Sequence, residues 1–397
     1  LILFPQGIFA HQKPPSIGWF GKNSNNPSLQ PRNFHKRSIP MERPFSQACN
    51  ILESAVADKT LLAASICVQS HDWKGVRHFG LANSPAPKSA TPNHPKPVAC
   101  SAFLLGSITK PIVITAVVAL LAEKNISLDE PATKYLTEFP RNPFETIRIR
   151  HLLTHTCGLP DQLPNNADLR SRHRPLEDFV ASCSKLPTAF IPGSAYEYSS
   201  MGILLAAEIA QRISGNSMIE LVQQRVFNPL NMRCSALGLG QLPQRCLMPC
   251  QVEFGAPEAG GGSSDSANWN WNSPYWRALG APWGGAHCSA EDVAKLLDTL
   301  LHSDDRLMPA SAQRQLITNQ NPAPLESRGL GFDVGMRSSG VKISTQSFGH
   351  TGSTGTIAWA DPSTDRICVV LTSLPTRAMP QGSHPLQLAS STIAEAP

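Results

Sequence analysis

The sequence predicts an α+β fold: an antiparallel sheet flanked by helices and interrupted by a mostly helical inserted domain. Two observations carry this. Strand-like runs gather near the two ends of the chain, at residues 63–81 and 346–372, while helical periodicity fills the space between. The first two runs are separated only by a short polar turn, which makes a hairpin and an antiparallel start to the sheet. A sheet drawn from both ends, with helices looped out between its halves, buries all of these apolar faces. The sheet part then takes about residues 41–100 and 285–397, and the helical part about 101–284.

In chain order, Phe45, Ala48, Ile51, Leu52, Ala55 and Val56 recur at helical spacing. Strands are expected at 63–69 and 76–81, with Gly75 in the turn between them. A connector rich in Pro, Ser and Asn occupies 83–97. A strongly apolar helix is expected over 108–124 and a shorter one near 128–136. From 147 to 233 helical patterns alternate with Pro and Gly breaks, and 201–214 and 217–226 are the clearest helices. The Gly-, Ser-, Asn- and Trp-rich stretch 255–280 reads as loop. A helix over 290–301 precedes strands at 346–350, 356–360 and 366–372, with turns at Gly352 and at 361–365. A last helical segment lies near 386–394.

Composition narrows the function classes. The chain has 397 residues, 41% hydrophobic and 16% charged, a globular profile with enough length for a sizeable core. Its net charge of +5 is spread out, without the clustered Lys and Arg of a nucleic-acid partner. The longest apolar stretch, 112–122, is too short to span a bilayer and reads as a buried helix. Of the ten cysteines, Cys67 and Cys368 sit in apolar strand-like runs, where Cys acts as a small hydrophobe. No C-x-x-C pair occurs, so no metal site is expected. A chain of this size has no need of disulfide staples, and so many free thiols lean toward a reducing, cytoplasmic compartment. Residues 1–40 are rich in Pro, Asn, Ser and Lys and lack both a basic n-region and a cleavage site. They read as a disordered leader or a mis-called start, with Met41 as the natural first residue.

Three motifs carry chemistry. In Ser107-Ile108-Thr109-Lys110, at the start of the apolar helix, positions three apart share a face, which sets the lysine amine beside the serine hydroxyl. Partial burial and nearby cations would lower the amine's pKa and let it take the serine proton. Alone, the motif also fits a helix cap followed by a solvated lysine. Tyr198-Ser199-Ser200 offers a phenol that flanking cations could lower into the range of a general base or relay. Alone, it fits an aromatic anchoring the next helix. Gly349-His350-Thr351-Gly352-Ser353-Thr354-Gly355 lets a substrate lie along a strand edge, with the Ser353 N–H aimed at an oxyanion. Alone, it fits a Gly-rich hairpin turn.

In this order the three motifs resemble the serine β-lactamase and penicillin-binding-protein superfamily, especially its class C β-lactamase-related esterase branch. The likeness extends to His151-Leu152-Leu153-Thr154-His155-Thr156-Cys157-Gly158-Leu159-Pro160, to Phe190-Ile191-Pro192-Gly193, to Phe227-Asn228-Pro229-Leu230-Asn231-Met232 and to Trp283-Gly284-Gly285. It implies a cleft between sheet and helices, acylation of Ser107, proton transfer by Lys110 and Tyr198, and an oxyanion hole from the N–H groups of Ser107 and Ser353. Substrate contacts would come from Ser200, His350, Thr351 and Gly352. Neither metal nor organic cofactor is implied.

Two positions depart from the family pattern. Ser200 stands where Asn is usual, and His350 where the cation of K-T-G is usual, so that the charge there is only partial near neutral pH. Both weaken recognition of a β-lactam's amide and carboxylate and leave the nucleophile machinery intact. The expected activity is therefore that of an esterase or related amide/ester hydrolase on a small ester, amide or D-amino-acid peptide. β-Lactamase or peptidase activity, or a silent penicillin-recognising binder, are the alternatives. His151 and His155, four apart, read as structural rather than metal-binding, and Trp269, Trp271, Tyr275 and Trp276 as loop anchors or acyl-pocket lining. No G-x-S-x-G elbow occurs.

Overall fold

The computed structural model describes residues 41–71, 73–80 and 100–397. The expected leader and the 83–97 connector lie outside the described residues.

Six strands form the main sheet: β1 (Ala63–Ser70), β2 (Trp73–Gly80), β6 (Asp333–Val334), β7 (Phe348–Gly352), β8 (Thr356–Asp361) and β9 (Arg366–Thr372). Their order is β2-β1-β9-β8-β7-β6, and every pairing is antiparallel. The first hairpin therefore docks directly on the last strand of the chain, the join the sequence pattern implied. Side chains alternate between the two faces of the sheet, and the central strands β8 and β9 are buried on both, whereas the edge strand β2 is mostly part-exposed. Ala64, Ile66 and Val68 of β1, with Ile357, Trp359, Cys368 and Val370, pack under the helices Glu42–Ala57 and Pro385–Ala394. Ala63, Cys67, Ala358, Ile367, Val369 and Leu371 face the opposite way, toward the helix Ala290–Leu301 and the helical part of the chain. Trp359, the largest side chain buried there, satisfies its indole by donating to Ser390 Oγ at 2.9 Å.

A second sheet, β3 (Phe103–Leu104), β5 (Ala286–Cys288) and β4 (Ser235–Leu237), runs in the order β3-β5-β4. Cys100 and Cys234, each just ahead of an outer strand of this sheet, are joined by a disulfide. That overturns the expectation of a chain without staples. The other eight cysteines are free and buried.

The apolar helix begins later than expected: Gly106–Ile108 is a tighter 3-10 turn, and Thr109–Glu123 is the α-helix. From Gly106 to Glu123 the run is long and apolar enough to cross a membrane by composition, but 83% of it is buried inside the protein. It is the core helix.

Other boundaries moved for identifiable reasons. No helix forms over 128–136; Pro131 is extended and bridges Arg148, leaving only the turn Ala132–Lys134. Gly75 lies inside β2 opposite Val68 rather than in the turn, because a Cβ there would stand 2.4 Å from the Trp73 ring and 2.8 Å from Phe45. The turn is tighter than expected: β1 runs one residue further and β2 begins three residues earlier. The helix expected over 217–226 is regular only for Met218–Val222 and relaxes into a π turn over Gln223–Phe227. The 255–280 loop contains two 3-10 turns, Pro257–Ala259 and Ser264–Ser266, and one short α-helix, Pro274–Leu279, capped by Ser273 Oγ.

Candidate active site

Ser107 sits in the 3-10 turn, where the start of the core helix meets the turn after β7. Thr354 in that turn and Thr356 at the start of β8 hold the approach to it: Thr354 Oγ1 donates to Leu104 O and Thr356 Oγ1 to Leu105 O, both at 2.7 Å. The contact needs glycine on both sides. Gly106 has φ +54°, and a Cβ on it would stand 2.9 Å from Thr354 Oγ1 and 3.2 Å from Ser353 N. A Cβ on Gly352 would meet Leu105 O at 2.1 Å. Gly352 therefore earns its place by packing as much as by any substrate contact. The Ser353 N–H is left beside the residue preceding Ser107.

Lys110, one helical turn on, is buried and donates to Ser107 Oγ at 2.9 Å and to Trp283 O at 3.1 Å. Burial lowers its pKa from 10.5 to about 7; Asp161 opposes the fall and Arg328 adds to it. The expected lowering is present, and desolvation is its main cause. Tyr198 hydrogen-bonds Ser107 through its hydroxyl, and Lys110 Nζ lies 4.7 Å from its ring centre. Here the expectation of a lowered phenol fails. Burial raises the Tyr198 pKa, and it outweighs the opposing hydrogen bond from Ser107 and the Arg328 charge. Tyr198 is a neutral phenol, and the lysine is the group poised near neutrality.

His350, on β7, faces Tyr198 with Nε2 3.5 Å from the phenol oxygen. Its Nδ1 lies 2.6 Å from Thr351 O, so Nδ1 carries the proton and Nε2 is the acceptor. Burial first, then Arg328 and Lys110, push its pKa well below 6.5. It is neutral, where the sequence suggested partial charge.

Ser200 is in the site but not free. Its Oγ donates to Asp161 Oδ1 at 2.5 Å and its N–H to the same oxygen at 3.2 Å. The cleft thus presents a carboxylate at Asp161, a residue the motif analysis passed over although it directly follows Pro160. Ser199 caps the helix Ser200–Ser214, accepting from Gly202 N at 2.9 Å and donating to Pro160 O at 3.1 Å, which brings 160–161 to the cleft. His155 lies beyond the helix Ile149–Leu153 with φ +60° and lays its ring 4.5 Å from that of Tyr198. It packs against the tyrosine.

Arg328 was also missed, since a single arginine has no spacing to betray it. Its Nε donates to Tyr196 Oη at 2.9 Å, its guanidinium lies 5.6 Å from the Tyr198 ring, and Asp333 stands 3.9 Å away as counter-ion. The cleft of about 570 Å³ runs from Ser107 to Trp271, Trp276, Trp283 and Arg170. Trp269 and Tyr275 stand behind it as anchors: the Trp269 carbonyl accepts from Arg170, and the Tyr275 hydroxyl donates to Arg174 O. A Ser–His–Glu alignment away from the cleft, Ser65–His78–Glu291, has its serine fully buried and fastens β1 and β2 to the helix Ala290–Leu301.

A match to the Beta-lactamase family spans residues 50–391 and takes in every residue of this cleft. The chain belongs to that family. Esterase EstB of Burkholderia gladioli is 28% identical over 339 residues, covering 78% of this chain and 83% of the esterase. Among solved structures, EstCE1, a hydrolase with promiscuous acyltransferase activity, superimposes with a TM-score of 0.68 at 18% identity, covering 88% of this chain and 99% of its own. The D-amino acid amidase of Ochrobactrum anthropi SV3 does so at 0.65 and 20% identity, covering 87% of this chain and 98% of its own. This member of the β-lactamase family has the β-lactamase/transpeptidase-like fold and is a serine hydrolase.

Proposed function

We propose that the chain is an esterase working through an acyl-enzyme on Ser107. The observation that carries the reading is the 2.9 Å contact between Ser107 Oγ and a buried Lys110 amine with a pKa of about 7. In its neutral form the amine takes the hydroxyl proton as Oγ attacks the ester carbonyl. The N–H groups of Ser107 and Ser353 receive the oxyanion. Collapse expels the alcohol, which takes its proton from the Lys110–Tyr198 pair, the phenol serving as relay. Water then attacks the acyl-enzyme with the same pair as base, releasing the acid and restoring Ser107.

Preference for an ester over a lactam follows from the opposite wall. His350 is neutral, Ser200 is held by Asp161, and the charge of Arg328 is matched by Asp333. The two side chains at the positions where the family pattern has its cation and its amide, His350 and Ser200, thus supply neither a charge nor an amide donor for a β-lactam's carboxylate and side-chain amide. An activated ester asks only for nucleophile and oxyanion hole. The wild-type enzyme should hydrolyse short p-nitrophenyl esters with a kcat/KM at least about tenfold above that for a chromogenic cephalosporin. Ser107→Ala should lose both this turnover and the mass shift left by a fluorophosphonate. Efficient cephalosporin turnover would replace the esterase reading with a β-lactamase one.

A further inference from the structure

Arg170 stands at the aromatic end of the same cleft with only 3% of its surface exposed. Its guanidinium lies 3.9 Å from the Trp276 ring centre and 5.5 Å from that of Trp269. It donates from Nη2 to Trp269 O at 3.2 Å, and Nε has no partner. Among the described residues no carboxylate lies within the 4.0 Å of an ion pair. Burial pulls its pKa down to about 10, against the opposing charges of Tyr275 and Glu258. Other buried arginines are better served. Arg328 has Asp333, Arg277 donates to Met248 O and Asn272 Oδ1, and Arg366 reaches the carbonyls of Ile393 and Ala396. A buried, unmatched guanidinium is costly, and stacking on indole recovers only part of that cost.

We infer that this end of the cleft binds a carboxylate carried by the substrate away from the scissile ester, with Arg170 as its partner. The guanidinium lies 3.9 Å from the Trp276 ring centre at the wall of the cleft, and its unpartnered Nε leaves a donor for the hydrogen bonds that a carboxylate accepts. The charge balance favours a monoanion over a phosphate, because exposed Glu258 lines the same region and repels a second negative charge. The preferred substrates are then half-esters of dicarboxylic acids or esters of similar reach. This inference rests on the esterase reading.

The test compares mono-p-nitrophenyl esters of dicarboxylic acids, roughly four to eight carbons long, with the same compounds methylated at the far carboxyl. Wild-type kcat/KM should favour the free carboxylate by about tenfold or more at the best length, the scale of one charge-assisted pair. Added salt should shrink the advantage. Arg170→Gln should bring the ratio to about one, whereas a purely structural role would lower both substrates together and keep the ratio. A wild-type ratio at or below one across the series, or a wild-type ratio retained in Arg170→Gln, overturns the inference. If no ester is turned over, the esterase reading fails. The carboxylate is then read separately, by calorimetry of methyl half-esters and diesters on Ser107→Ala. Tighter binding of the half-ester supports Arg170 recognition and equal binding refutes it, even if Arg170→Gln does not fold.

Discussion

At the scale of single residues, Lys110 meets two opposed demands. Folding moves its pKa from 10.5 to about 7, so the unfolded chain binds more protons between those values. Stability attributable to Lys110 is therefore lowest below about pH 7 and recovers as pH rises toward 10.5. The penalty at neutral pH is on the order of a few kcal/mol, only partly offset by the amine's two hydrogen bonds. Lys110→Met should accordingly be inactive yet melt several degrees higher at pH 6 in scanning calorimetry; a lower melting temperature would show that the hydrogen bonds dominate. The same titration sets the rate. kcat/KM should climb through about pH 7 as the amine becomes neutral. Tyr198→Phe should cut kcat by about 10²-fold and leave that limb in place, because the phenol does not titrate there. Movement of the limb in Tyr198→Phe would assign it to the tyrosine instead.

At the scale of elements, the site depends on one strand and one turn fitting without clearance. Gly352→Ala drives a Cβ into Leu105 O and must push β7 away from the turn that bears Ser107. We expect at least about a tenfold loss of kcat/KM together with a stability loss of about 1–3 kcal/mol. Gly215, the left-handed cap of the helix Ser200–Ser214, is the control: φ is +73° and nothing lies within 4 Å of an added Cβ. Gly215→Ala should cost about 1 kcal/mol in urea melts and leave ester turnover unchanged. Equal activity losses in the two variants would mean that the β7 contact is not what positions Ser107. The elements legible in the sequence were those with long apolar periods: the helix at 290–301 and the strand at 366–372 coincide with those observed. The second sheet was not legible, because strands of two or three residues carry no period. Gly75 misled for a related reason. Its role is to make room for Trp73 and Phe45, which no local pattern records.

At the scale of the whole molecule, the cleft gathers residues from positions 106 to 376, and what could be read in advance depended on whether they travelled in company. Ser107, Lys110, Tyr198 and His350 sit in motifs. Asp161, Arg170 and Arg328 are single charges whose meaning comes only from what folds against them. Cys100 and Cys234 belong to this second group. They are 134 residues apart, yet β3 and β4 flank β5 and bring them together across the small sheet. Closing so long a loop restricts the unfolded chain, an effect of roughly 4–5 kcal/mol in the chain-entropy model. The double variant Cys100→Ser, Cys234→Ser should therefore melt several degrees below the oxidised wild type. Treating the wild type with a reductant should reproduce the shift. Turnover at low temperature should stay within a few-fold of wild type, since Thr354 and Thr356 hold the approach to Ser107 without help from the disulfide. Identical melting of oxidised and reduced protein would remove the disulfide from any part in stability. A collapse of turnover at temperatures where the double variant is still folded would instead make the small sheet, rather than β7, the element that sets the nucleophile in place.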